Sequence, residues 1–116
     1  MSLQPVPIQN VPGVPDYTCT AFLPKSSDYC LLIPVINEGS RILTELGRAQ
    51  KAGVDRLVDI VICDGGSTDG SMNPDTLELY GVNTLLVKTG PGKQGAQLRM
   101  GLHFALTFGY KGVLTI

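Results

Sequence analysis

The chain has 116 residues, 43% apolar and 16% charged, with a formal net charge of −1. At that size it makes at most one domain, large enough for a core yet small for an α/β enzyme with a complete active site, so a fragment is expected. The near-neutral balance excludes bulk electrostatic binding of nucleic acid, no apolar run approaches the roughly 20 residues that cross a bilayer, and the N-terminus lacks a signal-peptide core.

Residues 1–28 are rich in proline and read as an extended arm rather than a domain. The run YCLLIPV, Tyr29–Val35, is nearly all apolar, as in a strand buried on both faces of a parallel sheet, and Pro34 is expected to end its pairing. After NEGS, Ile42, Leu43, Leu46, Ala49 and Gln50 form a stripe at helical spacing, closed by Ala52-Gly53. Leu57 to Cys63 is a second apolar run that leads into DGGSTDGS, a turn-rich string followed by a short helix near Pro74. Val82 to Val87 predicts a third strand. Ala96, Leu98, Met100, Leu102, Ala105 and Leu106 then fit a longer helix that stops at Gly109, and Gly112 to Ile116 begins a fourth strand. Strands alternating with helices over short connections predict an α/β fold, a three-layer sheet of mainly parallel strands, with ligands at the carboxyl ends of the strands. The loops NEGS, DGGSTDGS and TGPGKQG all belong to that edge.

The loop TGPGKQG carries Gly90, Gly92 and Gly95 at the G-x-G-x-x-G spacing of a dinucleotide site. It follows the third strand rather than the first, however, and no Asp or Glu lies downstream to hold a ribose, so an NAD-dependent oxidoreductase is the weaker reading. What remains is Lys93 at a helix start, either an anion site or a solvated lysine in a tight turn. Asp64, at a strand end, suits either a base or ribose hydroxyl or the cap of the next turn, while Asp69 suits capping and Glu38 the dipole of the first helix. His103 has no metal-ligand spacing around it and reads as structural. Cys19, Cys30 and Cys63 are odd in number, the last two in apolar runs, which points to free thiols in a reducing, cytoplasmic setting. Charge is uneven: ten acids and five bases lie at or before Glu78, and beyond it stand Lys88, Lys93, Arg99 and Lys111 with no acid. Such asymmetry brings positive charge toward an anionic ligand or simply scatters lysines over a surface.

Taken together, IPVINEG, IVICDGGSTDGS and GPGKQGAQLRMGLHFA resemble the N-terminal half of family 2 glycosyltransferases of the GT-A fold, a group that includes dolichyl-phosphate mannose and glucose synthases. The resemblance covers roughly residues 30–116, with DGGSTDG its most diagnostic piece. It implies that residues 29–116 are the Rossmann-like nucleotide-binding part of a transferase, truncated before the family's metal-binding D-x-D, and that the enzyme passes a sugar from a nucleotide-diphosphate donor to an acceptor. By matching positions, Pro34, Ile36 and Glu38 would line the nucleotide pocket, Ile62 and Asp64 would meet base or ribose, and Lys93 would lie in the glycine-lysine segment. Ile36 replaces the aromatic of many relatives, and Gly66 and Gly90-Pro91-Gly92 depart from the usual wording. The resemblance implies Mg²⁺ or Mn²⁺ in the full-length enzyme and none bound by this fragment. It leaves the acceptor open, a lipid phosphate being one candidate, which would put the enzyme at the cytoplasmic face of a membrane. The unpaired last strand predicts self-association of the fragment. A non-catalytic nucleotide- or anion-binding module is the rival from another class.

Overall fold

Residue Tyr29 opens a strand that every other layer of the molecule is built around, β3 (Tyr29–Val35). In the computed structural model, which describes residues 4–115, it is preceded by β1 (Val6–Ile8) and β2 (Tyr17–Ala21). It is followed by helices α1 (Arg41–Lys51) and α2 (Val54–Leu57), strand β4 (Asp59–Asp64), helix α3 (Pro74–Leu79), strand β5 (Val82–Lys88), helix α4 (Gln94–Thr107) and strand β6 (Gly112–Thr115). The first three residues of the expected arm and Ile116 of the expected last strand lie outside the described residues.

The six strands form one mixed sheet in the order β1-β2-β5-β4-β3-β6. The four strands from β3 onward pair in parallel, as expected, and β6 lies beside β3. Strands β1 and β2 add two antiparallel pairings at the β5 edge, so the sheet is less parallel than the sequence suggested. The lead is extended, yet it is not apart from the fold. Tyr17 and Cys19 point into the core, Thr89 and Gly90 donate to the Asp16 carbonyl, and the Tyr17 hydroxyl meets His103 Nδ1 at 2.7 Å. His103 is therefore the structural histidine its setting predicted.

Two apolar layers flank the sheet. On one face Leu32, Val61, Cys63 and Leu86 pack beneath Met100, Phe104 and Ala105 of α4. On the other, Ile33, Ile60, Ile62 and Leu85 pack beneath Ile42 and Leu46 of α1 and Leu77 of α3. This alternation puts successive residues of a strand on opposite faces, the period of two that both-sided burial requires. Helix α4 lies close because residue 101 is glycine: a Cβ there would come within 2.8 Å of Cys63 Sγ and 3.0 Å of Leu32 Cδ1. The buried stripe of α4 is thus turned from the one expected, with Leu102 and Leu106 exposed and Phe104 inside.

Pro34 does not end the strand. Residues Pro34 and Val35 still pair with Cys63 and Asp64, whereas pairing to β6 is described only as far as Leu32. Val35 O faces β4, where it accepts from Gly65 N–H, so the preceding residue turns its missing donor to the other side, at no cost to this ladder.

At the opposite edge, Asp59 begins β4 nearly fully buried. It accepts from Ser26 N–H and Oγ–H, Ser27 N–H and, at 2.6 Å, the Tyr110 hydroxyl, which ties the end of the lead and the start of β6 to the sheet. Burial alone would raise its pKa, but these donors together hold it below the usual carboxylate value, while burial and the adjoining Asp59 carboxylate push the Tyr110 phenol up. A depressed folded pKa stabilises the fold in full above the unfolded value of about 3.9 and is lost as pH falls through the lower folded value. Tyr110→Phe is expected to cost about 1.5–3 kcal/mol at neutral pH and, by returning the Asp59 pKa toward its unfolded value, to shrink the Asp59-linked loss of stability below about pH 3.9 and complete it at a higher pH, measured by urea denaturation from pH 7 to pH 2.

Candidate functional site

The chain leaves β3 for α1 and β4 on one side, and returns through α4 to β6 on the other, so the strand order reverses at β3. Open sheets of this kind form a crevice outside the carboxyl ends of the strands at such a reversal, because the two connections diverge to opposite faces. A cleft of about 350 Å³ lies there, between the starts of α1 and α4. Its walls are Pro34 and Val35 at the end of β3, Ile36 and Glu38 after it, Gly65 after β4, Lys88 at the end of β5, and Gly92, Lys93, Gln94 and Gln97 around the start of α4.

Four of the six sequence-predicted site residues, Pro34, Ile36, Glu38 and Lys93, are therefore brought together. Ile36 is half exposed, an apolar rim, and Lys93 is exposed at the start of α4. Glu38 is paired with Arg41, so its carboxylate is engaged before any ligand arrives. The other two are not at the cleft. Ile62 is fully buried on the α1 and α3 side of the sheet. Asp64 is 2% exposed, and its carboxylate accepts from Ser67 N–H at 3.0 Å and from Ser67 Oγ–H at 2.6 Å, the turn cap that was the other reading of this residue.

Asp64 starts a lattice that joins two loops. Ser67 Oγ accepts from Asn37 N–H at 2.9 Å, and Asn37 Oδ1 accepts in return from Thr68 N–H at 2.8 Å. Asp69 accepts from Ser71 through one oxygen and from Gly39 N–H through the other, and the Ser71 donors hold its pKa down. Asp69 therefore clasps loops rather than capping a helix; Asn73 caps α3, accepting from Asp75 and Thr76 N–H. Asn37 sits at φ +47°, a left-handed conformation that asparagine tolerates better than most residues.

Two of the glycines of TGPGKQG have local reasons. A Cβ on Gly90 would lie 2.8 Å from Asp16 N, and Gly92 adopts φ +120°. The lead thus uses the Thr89 and Gly90 amides, and only the later part of the loop faces the cleft. Lys88, which the sequence reading counted only as charge, lines the cleft and donates to Gly90 O at 2.8 Å. Gln97 was missed as well: it is 5% exposed, and its Nε2 donates to Val35 O at 2.8 Å and Cys63 O at 2.9 Å. A polar residue on the buried stripe of an expected helix was the signal for it.

Neither α1 nor α4 has a side-chain cap or an acid in its first turn. The uncapped start of α4 and two lysines consequently line one crevice, which suits an anion. The thiols offer no nucleophile: burial raises Cys19 and Cys30 to about 11 and Cys63 to about 12. Among the described residues no group of three His, Cys, Asp or Glu side chains lies together. The two carboxylates beside the edge are committed to Arg41 and Ser67, so these residues do not fit a divalent ion. No helix among them is long and apolar enough to cross a membrane. No family model matches the chain, and neither the curated proteins nor the solved structures give a match.

Asn37→Gly keeps the left-handed backbone and removes only the clasp. It should lower stability by about 1 kcal/mol and speed hydrogen exchange at the Thr68 amide, read by NMR.

Proposed function

We propose that the chain is the donor-nucleotide-binding part of a family 2 glycosyltransferase with a GT-A-type fold, binding a nucleotide-diphosphate sugar whose sugar passes to an acceptor. The observation that carries this reading is the cleft at the reversal of strand order. There the segments INEG, DGGSTDGS and GPGKQG, which carry the sequence resemblance, meet at one edge with two cations and the uncapped start of α4. A dinucleotide oxidoreductase is less well supported, since Gly90 is explained by packing against the lead, Gly92 by its positive φ, and the loop follows β5.

In this reading the diphosphate lies toward Lys93 and Lys88 at the start of α4, and Ile36 gives an apolar edge for the base. What this chain supplies is binding and orientation: positive charge on one wall, and an opposite wall fixed by the Asn37–Thr68 and Asp69–Gly39 clasps.

Calorimetric titration with UDP and with GDP is expected to show saturable binding that weakens as salt is raised. Lys93→Ala should weaken it at least tenfold, the equivalent of one charge-assisted contact. No binding of either nucleotide at millimolar concentration would overturn the reading.

A further inference from the structure

Gln97 has more hydrogen-bonding capacity than its neighbours use. Both hydrogens of its side-chain amide are spent, one on Val35 O and one on Cys63 O. This fixes the orientation of the group, because an oxygen placed at Nε2 would oppose two carbonyl oxygens. Oε1 accepts no hydrogen bond from any described residue, and the polar side-chain atom that is sealed without a partner is Asp55 Oδ1, far along the chain. Oε1 is therefore open, and the surface it opens on is the cleft that Gln97 lines while remaining nine-tenths buried.

The neighbourhood keeps it so. Gly65 stands against the amide, and a Cβ there would lie 3.0 Å from Gln97 Cδ and 3.2 Å from Oε1. Any side chain at 65 would push the amide off its two carbonyls or cover its free oxygen. The cleft thus combines cations on one wall with a rigid neutral acceptor on its floor, a combination that a simple anion does not need.

We infer that Gln97 Oε1 accepts a hydrogen bond from a hydroxyl or N–H of the nucleoside, while its Nε2 braces the strand ends; this rests on the nucleotide reading above. The acceptor adds discrimination. A nucleoside diphosphate satisfies both walls, whereas pyrophosphate satisfies the cations alone and leaves the acceptor unpaired.

The test compares UDP, GDP and pyrophosphate on the chain and on Gln97→Met, which keeps length and apolar volume. The expected result is a loss of about tenfold in nucleoside-diphosphate affinity with pyrophosphate affinity unchanged within twofold, the size of one hydrogen bond. Equal weakening of all ligands would make Gln97 a brace only, and no change would remove it from the site; either overturns the inference. Should Gln97→Met fail to fold, the side-chain ¹⁵N–¹H signals of Gln97 in the unaltered chain decide: shifts on adding UDP or GDP but not pyrophosphate support it, and none overturns it. A chain that binds pyrophosphate but no nucleotide would instead sink the nucleotide reading itself.

Discussion

The carbonyl oxygens of Val35 and Cys63 leave the carboxyl ends of two neighbouring parallel strands, and one side-chain amide serves both. Val35 O also takes the Gly65 amide, so Gln97 adds a second bond there and one at Cys63 O, each worth about 1 kcal/mol, where the strands diverge into separate loops. Gln97 makes both bonds from the second turn of α4. Because it reaches across two strands, it also fixes how deep α4 sits, and Gly101 one turn later permits that depth by carrying no Cβ against Cys63 and Leu32.

A second constraint arrives from the lead. Its backbone at Asp16 takes two amides of the glycine loop, Arg99 Nε donates to Gly13 O, and Tyr17 holds His103. Two of the three glycines that look like a dinucleotide fingerprint are thereby accounted for without a ligand: Gly90 is small because the lead passes over it, and Gly92 is glycine because of its positive φ. A spacing rule records where Cβ atoms are not tolerated, and close packing of protein against itself excludes them as well as a pyrophosphate does.

Strands β3, β4 and β5 were legible because both-sided burial writes largely apolar runs, and the two long helices because their ends carry Gly53 and Gly109, both at positive φ. The lead was not legible as strands: β1 has three residues, one of them Pro7, and its pairing lies on an edge where alternation is weak. The four cleft residues read from the resemblance sit at or just beyond the carboxyl edge of the sheet, Pro34 near the end of the β3 ladder and the others in the loops that follow strands. Ile62 and Asp64 fell outside because a strand's alternation sends one to the far face, and because a carboxylate followed three residues later by serine closes its own turn. Gln97 and Lys88 escaped notice since each needs the partner strand or loop to be known before its direction has meaning.

The two walls of the cleft are held by different kinds of contact, and this shapes how it would respond to a ligand. The wall carrying Glu38 is closed by short-range loop clasps, Asn37 with Ser67 and Thr68 and Asp69 with Gly39, mostly exposed to water and hence individually weak. The wall carrying Gln97 is anchored in the core through Met100 and Phe104. Opening therefore belongs to the loop wall, since local unfolding follows the elements with fewest buried contacts. A ligand that bridges from Lys93 to the Ile36 rim would order the weaker wall against the stronger one, so the affinity of the site depends on the clasps even though none of them touches the ligand.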